Sequence, residues 1–308
     1  MKQQFLPPAV NLHTIAACNY RCGFCFAGFA QAGRARIPQP ELHEILSQLA
    51  SAPQAPGSGL RKATFAGGEP LLSSTATEDI QFASSLGLVT SLVTNGSMLT
   101  DPMLESLAPH LNWLTLSIDS PNEETNRRIG RASHGSALTT PDYLARIRRA
   151  QALGIKVKIN TVVNRANLHE DFGPLLREAR PTRWKLFQTT RIEEENGLHH
   201  ARWMVTDDEF RQFIARHKPL DGEATILVPE SQAEIYGTYA MIAPNGCFYD
   251  NSGGTYVYSK PITQVGIESA WAHIDFSIDR FLQRKGNYDF VTGLDRPTAS
   301  SRRTPHQP

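Results

Sequence analysis

The stretch CNYRCGFCF, Cys18–Phe26, sets three cysteines in eight positions, between an apolar run and a segment rich in Gly and Ala. A disulfide uses two thiols and a tetrahedral zinc site usually takes four protein ligands, so the count itself poses the question. Upstream, Val10–Ile15 reads as a strand, which sets Cys18, Cys22 and Cys25 at the C-terminal end of a βα unit, where α/β folds keep their chemistry. Three thiolates on one tight loop can each bind one iron of a 4Fe-4S cubane, leaving the fourth iron open to a substrate or cofactor. Two plainer readings stand beside this one: a zinc loop that takes Cys247 or His13 as fourth ligand, and cysteines that are merely small core residues. The C-x3-C-x2-C spacing differs from the two separated pairs of zinc sites and favours the cluster, while Cys247 reads as an ordinary half-buried thiol.

The chain has 308 residues, 40% of them hydrophobic, which suits one large α/β domain or two small ones. A formal net charge of +1 argues against a nucleic-acid coat or a polybasic membrane binder, so any anion site must be built locally. Four cysteines, three of them clustered, make no disulfide framework and suit a reducing compartment; the cytoplasm is expected. The N-terminus lacks the apolar core and cleavage site of a signal peptide, and no run is apolar enough to span a bilayer.

Six β-branched runs alternate with helical patterns, the signature of βα units around a parallel sheet or barrel. Strands are expected near Val10–Ile15, Lys62–Phe65, Leu88–Thr94, Trp113–Ser117, Val157–Val162 and Trp184–Gln188, and helices near Glu41–Ala50, Thr77–Leu86, Pro102–Leu107, Tyr143–Leu153, Leu168–Glu178 and Asp207–His217. After Leu220 the pattern loosens into short strand-like pieces and Gly-rich turns, so residues 221–290 read as a C-terminal extension of a 9–220 domain. The polar, Pro-containing tail 291–308 reads as disordered, and QAPGSG (54–59) as a mobile loop.

C-x3-C-x2-C resembles the motif of the radical S-adenosylmethionine (SAM) enzymes. The resemblance implies a 4Fe-4S cluster on Cys18, Cys22 and Cys25 whose open iron chelates SAM, and reductive cleavage of SAM to a 5'-deoxyadenosyl radical. FAGGEPLL (Phe65–Leu72) resembles the GGEP element of that superfamily: Gly67 and Gly68 let the backbone approach a ligand, and Glu69 offers a carboxylate to the SAM ammonium. VTNGS and LSIDS both fall at strand ends and are turn chemistry on their own. In the superfamily pattern Asn95, Ser117 and Arg131 match SAM-contacting positions.

In KVKINTVVN the period of two puts Lys156, Lys158 and Asn160 on one face, with Val157, Ile159 and Thr161 on the other. RWKLFQ likewise sets Arg183, Lys185 and Phe187 against Trp184, Leu186 and Gln188. A barrel strand's apolar face meets the helix layer, so the basic residues point inward, where they need a partner or a ligand. Together with Lys62 they predict a bound polyanion, most economically a triphosphate.

A narrower resemblance, to the viperin family, covers residues 9–290 through NLHTIAACNYRCGFCF, KATFAGGEPLL, KINTVVNRANLHED, TRWKLFQ, RIEEENG, DDEFRQFIARHK and LVPES in the same order. It implies a partial (βα)6 barrel that converts a ribonucleoside triphosphate (CTP, UTP or GTP) to its 3'-deoxy-3',4'-didehydro form, a chain terminator for viral polymerases, in anti-phage defence. Lys62, Lys158, Arg183, Lys185 and Lys260 match its triphosphate-binding positions, Asn11 and Asn160 polar positions near the nucleotide, and Tyr239 a tyrosine that delivers the late hydrogen or proton. An electron donor such as a flavodoxin or ferredoxin is implied as partner, with neither nucleic acid nor membrane. Ala66 stands where the animal protein has Ser before GGEP, and APNGCFYDNSGGTYVYSKP, near the base, departs most. Competing readings are a GTP-cyclising radical SAM enzyme, which should carry a second cysteine triplet near its C-terminus, and a non-catalytic iron-sulfur scaffold.

Overall fold

The computed structural model describes residues 5–29, 31–55 and 59–295, so QAPGSG lies partly, and the tail beyond Asp295 wholly, outside the described residues. Strands β1 (Ala9–Ile15), β2 (Lys62–Gly67), β3 (Val89–Thr94), β4 (Trp113–Ser117), β5 (Lys156–Val163) and β6 (Arg183–Gln188) pair in chain order, all parallel. Helices α1 (Gln39–Ser51), α2 (Ala76–Ser85), α3 (Asp101–Leu107), α4 (Glu123–Arg128), α5 (Thr140–Ala152) and α6 (Gly173–Ala179) occupy the crossovers, and α7 (Glu193–Asn196), α8 (His200–Trp203) and α9 (Asp207–His217) follow β6.

The residues after Leu220 add strands to both edges of this sheet. The strand β7 (Ile226–Glu230) pairs parallel with β6, while β8 (Ala240–Ile242) pairs parallel with β1 and carries β9 (Cys247–Asp250) and β10 (Val257–Pro261) antiparallel beyond it. One ten-stranded sheet results, in the order β10-β9-β8-β1-β2-β3-β4-β5-β6-β7, curled into a partial α/β barrel. No described helix is long and apolar enough to cross a membrane.

The core lies between the outer strand faces and the helices. Leu42, Ile45 and Leu49 of α1, Ile147 of α5 and Phe213 of α9 join Val10, Phe65, Leu92, Leu114, Ile159 and Trp184 in one buried cluster. Capping boxes start α5 (Thr139 with Asp142) and α9 (Thr206 with Glu209), satisfying the orphan donors of the first turn. One expected helix starts five residues late, at Gly173. Asn167 there accepts from Asn164 N–H (2.8 Å) and donates to Val162 O (2.9 Å) and Asp119 O (2.6 Å), so side chains take the bonds that a helical turn would use.

Backbone approaches backbone closely where GGEP leaves β2. Gly67 has φ +148, and a Cβ there would lie 2.4 Å from Ile15 O; a Cβ on Gly68 would lie 2.2 Å from Ala17 O and 2.4 Å from Ala16 O. Those atoms are backbone and cannot rotate away. Gly68→Ala is expected to cost at least about 1–3 kcal/mol in thermal or denaturant unfolding, because the strand must shift. Gly253→Ala, where an added Cβ meets nothing within 4 Å, should be close to neutral.

Candidate active site

One cavity of about 290 Å³ runs through the barrel, lined by Cys18, Cys22 and Cys25 at one end and by Lys62, Lys158 and Arg183 at the other. The cysteine loop is anchored on two sides: Arg21 N–H and Gly23 N–H donate to Gly130 O (2.9 Å) and Ile129 O (3.0 Å), and Asn196 Nδ2 donates to Phe24 O (3.0 Å). Trp203 packs on Gly23 so closely that a Cβ would meet its indole at 2.5 Å. Backbone N–H groups of Tyr20 and Ala27 already point at Cys18 Sγ (3.3 Å) and Cys25 Sγ (3.4 Å). Burial pushes the Cys22 thiol up to about 12 and raises the other two, so a metal must draw the protons off. Three thiols on one loop, with N–H donors at two sulfurs, fit a 4Fe-4S cluster with one open iron. Among the described residues no three His, Cys, Asp or Glu converge as a single metal ion requires.

Gly67, Gly68, Asn95, Ser117 and Arg131, the residues expected to meet SAM, line the cavity beside this loop. Arg131 is anchored by Asp119 through Nε (2.6 Å), and Asp119 Oδ1 accepts from Val162 N–H (2.7 Å). The carboxylate of Glu69 is directed elsewhere. It accepts from Leu71 N–H (3.1 Å), Thr94 Oγ1 (2.7 Å) and Asn95 N–H (2.8 Å), and it lies outside the cavity lining. Its part is to tie the GGEP turn to the end of β3 and thereby hold Asn95, instead of meeting an ammonium.

At the other end the two-residue alternation of β5 and β6 points Lys158, Asn160, Arg183, Lys185 and Phe187 inward, with Lys158 beside Arg183 and Asn160 beside Lys185 in register. Lys62 enters from β2 and Asn11 from β1. Burial, with the neighbouring cations, pulls Lys62, Lys158 and Lys185 each down to about 7. Among the described residues Lys62 Nζ meets the Tyr288 hydroxyl (2.7 Å) and the Tyr288 and Phe290 rings. Arg183 pairs with Asp295 (3.0 Å) and Gly293 O (2.8 Å), and Lys185 with Glu230 (2.6 Å) and the Tyr239 hydroxyl (2.6 Å). Among the described residues Lys158 Nζ makes neither hydrogen bond nor ion pair, and Asn160 Oδ1 is buried without a partner.

Lys260 is not brought to the site: it is exposed on β10, outside the cavity lining. Tyr239 is, and its hydroxyl donates to Glu230 while burial raises it well above the ordinary tyrosine value. Sequence reasoning missed Glu230, Arg284 and Tyr288. Glu230 is wholly buried between Lys185 and Arg284 (2.8 Å), and Arg284 lies 3.9 Å over the Tyr239 ring. The period of two in LVPES, with Val228 and Glu230 on the cavity face, is the signal that could have found Glu230. Residues 291–295, expected to be disordered, instead close the cation end, with Gly293 against Trp113 and Thr182.

Residues 12–179 match the Radical SAM superfamily. An S-adenosylmethionine-dependent nucleotide dehydratase of Lacinutrix mariniflava is 40% identical over 295 residues, which are 94% of this chain and 60% of that one. A protein of the same name from Flammeovirga pacifica is 36% identical over 288 residues, covering 92% and 96% of the two chains. The SuiB structure from Streptococcus suis bound to S-adenosylmethionine shares the fold, with a TM-score of 0.66 at 14% identity over 90% of this chain and 67% of that one. With three thiols on one loop, a glycine cradle beside them and relatives aligned along nearly its whole length, the chain belongs to the radical SAM enzymes, which use a 4Fe-4S cluster and SAM, and within them to the S-adenosylmethionine-dependent nucleotide dehydratases.

Proposed function

We propose that this chain dehydrates a ribonucleoside triphosphate, CTP, UTP or GTP, to the 3'-deoxy-3',4'-didehydro nucleotide. The observation that carries the reading is Lys158, an amine without a partner among the described residues, in the same cavity as the thiols and flanked by Lys62, Arg183 and Lys185. Two carboxylates, Glu230 and Asp295, answer Lys185, Arg284, Arg183 and Lys285, so the inner face keeps an excess of positive charge that a triphosphate would satisfy.

Cys18, Cys22 and Cys25 would hold the cluster, and Gly67, Gly68, Asn95, Ser117 and Arg131 the SAM. When bound and reduced by an electron donor such as a flavodoxin or ferredoxin, the two supply the 5'-deoxyadenosyl radical that takes the 4'-hydrogen. Lys62, Lys158, Arg183 and Lys185 fix the phosphates, and Asn11 and Asn160 reach the ribose between the two ends. One proton lets the 3'-hydroxyl leave as water, and one electron then completes the 3',4'-double bond. Tyr239, which lines the cavity, would give that proton to the leaving hydroxyl, and Lys185, held at about 7 and 2.6 Å from its hydroxyl, would replace it. A product without a 3'-hydroxyl cannot be extended by a polymerase, which supports a role in stopping viral, here phage, replication. Lys260 is left out of the phosphate set.

Anaerobic incubation of the iron-reconstituted protein with SAM, reductant and each of the four ribonucleoside triphosphates tests the reading by mass spectrometry. The expected outcome is 5'-deoxyadenosine formed together with a nucleotide lighter by one water. Deoxyadenosine at one slow rate with every nucleotide, and no dehydrated product, sinks it.

The lysines make a second prediction. Their depressed values mean that these three amines lose their charge in the free site as pH rises through about 7, whereas a bound triphosphate favours the charged amines. Binding at about pH 8 should therefore take up protons, and affinity should fall as pH rises further. Calorimetry in buffers of different ionisation enthalpy reads both effects. Lys158→Ala should weaken nucleotide binding by about 2 kcal/mol, roughly thirtyfold, and reduce the proton uptake.

A further inference from the structure

His13 has no part in the scheme above, yet it is 5% exposed, lines the cavity and has no hydrogen-bond partner among the described residues. Its ring is walled by Phe26, Phe29 and Tyr249, with centroids at 6.3, 5.0 and 5.8 Å. Burial pulls the imidazole down to about 3, so it is neutral at any working pH and carries one N–H. Nδ1 is sealed from the cavity and meets no donor or acceptor. An orphaned N–H is rarer in protein interiors than an orphaned acceptor, so the proton belongs on Nε2, the nitrogen left facing the cavity.

The strands say which ligand this N–H meets. On β1, Ala9 pairs with Lys62, Asn11 with Thr64 and His13 with Ala66. His13 therefore stands four strand positions from the phosphate-binding level, about 13 Å at the usual rise, with Asn11 midway. That separation is comparable to the reach of a nucleoside triphosphate from its phosphates to its base. Gly67, Gly68, Asn95 and Ser117 stand at the ends of β2, β3 and β4, on one side of β1, whereas the His13 ring packs on Phe26 and Phe29 and on Tyr249 of β9, which lies on the other side of β1 in the sheet. Phe26, Ala27, Ile192 and Met241 make the surrounding wall apolar. A planar ring with an acceptor on its edge suits an apolar corner holding one donor.

Resting on the dehydratase reading, the geometry points to His13 as the residue that selects the nucleobase, its Nε2–H donating to a ring carbonyl oxygen. Cytosine, uracil and guanine offer such an oxygen. Adenine has none and would leave the buried N–H unpaired, a penalty that gives strong discrimination.

The test is equilibrium binding to the cluster-reconstituted, SAM-loaded protein without reductant, so that no turnover occurs. Wild type should bind at least one of CTP, UTP and GTP roughly tenfold or more tighter than ATP. His13→Phe, which keeps the ring volume among its aromatic neighbours, should lose about tenfold for that nucleotide while ATP and SAM change less than about twofold. His13→Gln, which keeps a donor near Nε2, should recover most of the loss. Iron content and melting temperature report whether each variant is folded and loaded. The assignment is overturned if His13→Phe leaves the preferred nucleotide unaffected, if it weakens ATP equally, or if SAM affinity falls instead. Wild type that binds no nucleotide removes the dehydratase reading and this assignment together, a result distinct from a silent His13→Phe in an enzyme that binds and dehydrates its substrate.

Discussion

Gly68 presses on the carbonyls of Ala16 and Ala17, and that contact joins the two loops on which the chemistry rests. Gly68 N–H donates to Ile15 O (2.6 Å) and Glu69 N–H to Ala17 O (2.8 Å), one residue before Cys18. The thiol loop therefore starts from backbone already bonded to the GGEP turn. Glu69 extends the unit to β3 through Thr94 and Asn95, and Asn95 Nδ2 returns to Asn19 Oδ1 (2.9 Å) inside the cysteine loop. Glycine is needed twice because backbone occupies the space that a side chain would fill. The thiol loop and the GGEP turn are thus held as one rigid piece, the kind of preorganisation that positional chemistry requires.

The other end of the cavity is held by a different force. Basic side chains on inward strand positions face a low-dielectric interior in which each charge is costly alone. Lys185 and Arg284 share Glu230, and Arg183 has Asp295, whereas Lys62 has a phenol and Lys158 has no partner among the described residues. The depression of three lysines to about 7 is the cost of gathering so many cations out of water. Residues 288–295 raise that cost by covering the strand starts: Trp113 Nε1 donates to Phe290 O (2.7 Å), and the rings of Tyr288 and Phe290 pack on Val89 and Trp113. Aromatic faces over cations recover part of the lost solvation while leaving the nitrogens free to meet phosphate.

How much of this could be read from sequence depended on whether periodicity expressed it. The six barrel strands and the inward row of β5 and β6 are alternations of two, and Trp113–Ser117 and Asp207–His217 have the limits expected of them. The strand β7 carries Pro229, which disguises it, and it lies at the sheet edge, where a missing N–H is tolerated. Glu69 shows the limit of motif reasoning: a carboxylate beside two glycines suits an ammonium, yet three nearby donors claim it first. Arg284, Tyr288 and Asp295 lie in a segment without repeat or strand pattern, and only long-range packing brings them under the barrel. Lys260 failed for the opposite reason, since resemblance alone selected it and no inward-face argument stood behind it.

The polarity of the barrel bears on which carbon reacts. The thiols and the GGEP glycines stand at the C-terminal strand ends, and Lys62, Lys158, Arg183 and Lys185 stand at or near the strand starts. Under the proposed function, a nucleotide gripped by its phosphates at one end would present its sugar, next along the molecule, to a radical generated at the other. Asn11, Asn160, Lys185 and Tyr239 line that middle zone, with Asn160 and Lys185 adjacent in register. Under the proposed function the ribose hydrogen is chosen by where the two ends are fixed, more than by any group that attacks it, which is proximity acting as specificity. Shortening the phosphate chain would then let the sugar slide along the barrel axis, so a nucleoside monophosphate should lose productive alignment as well as affinity.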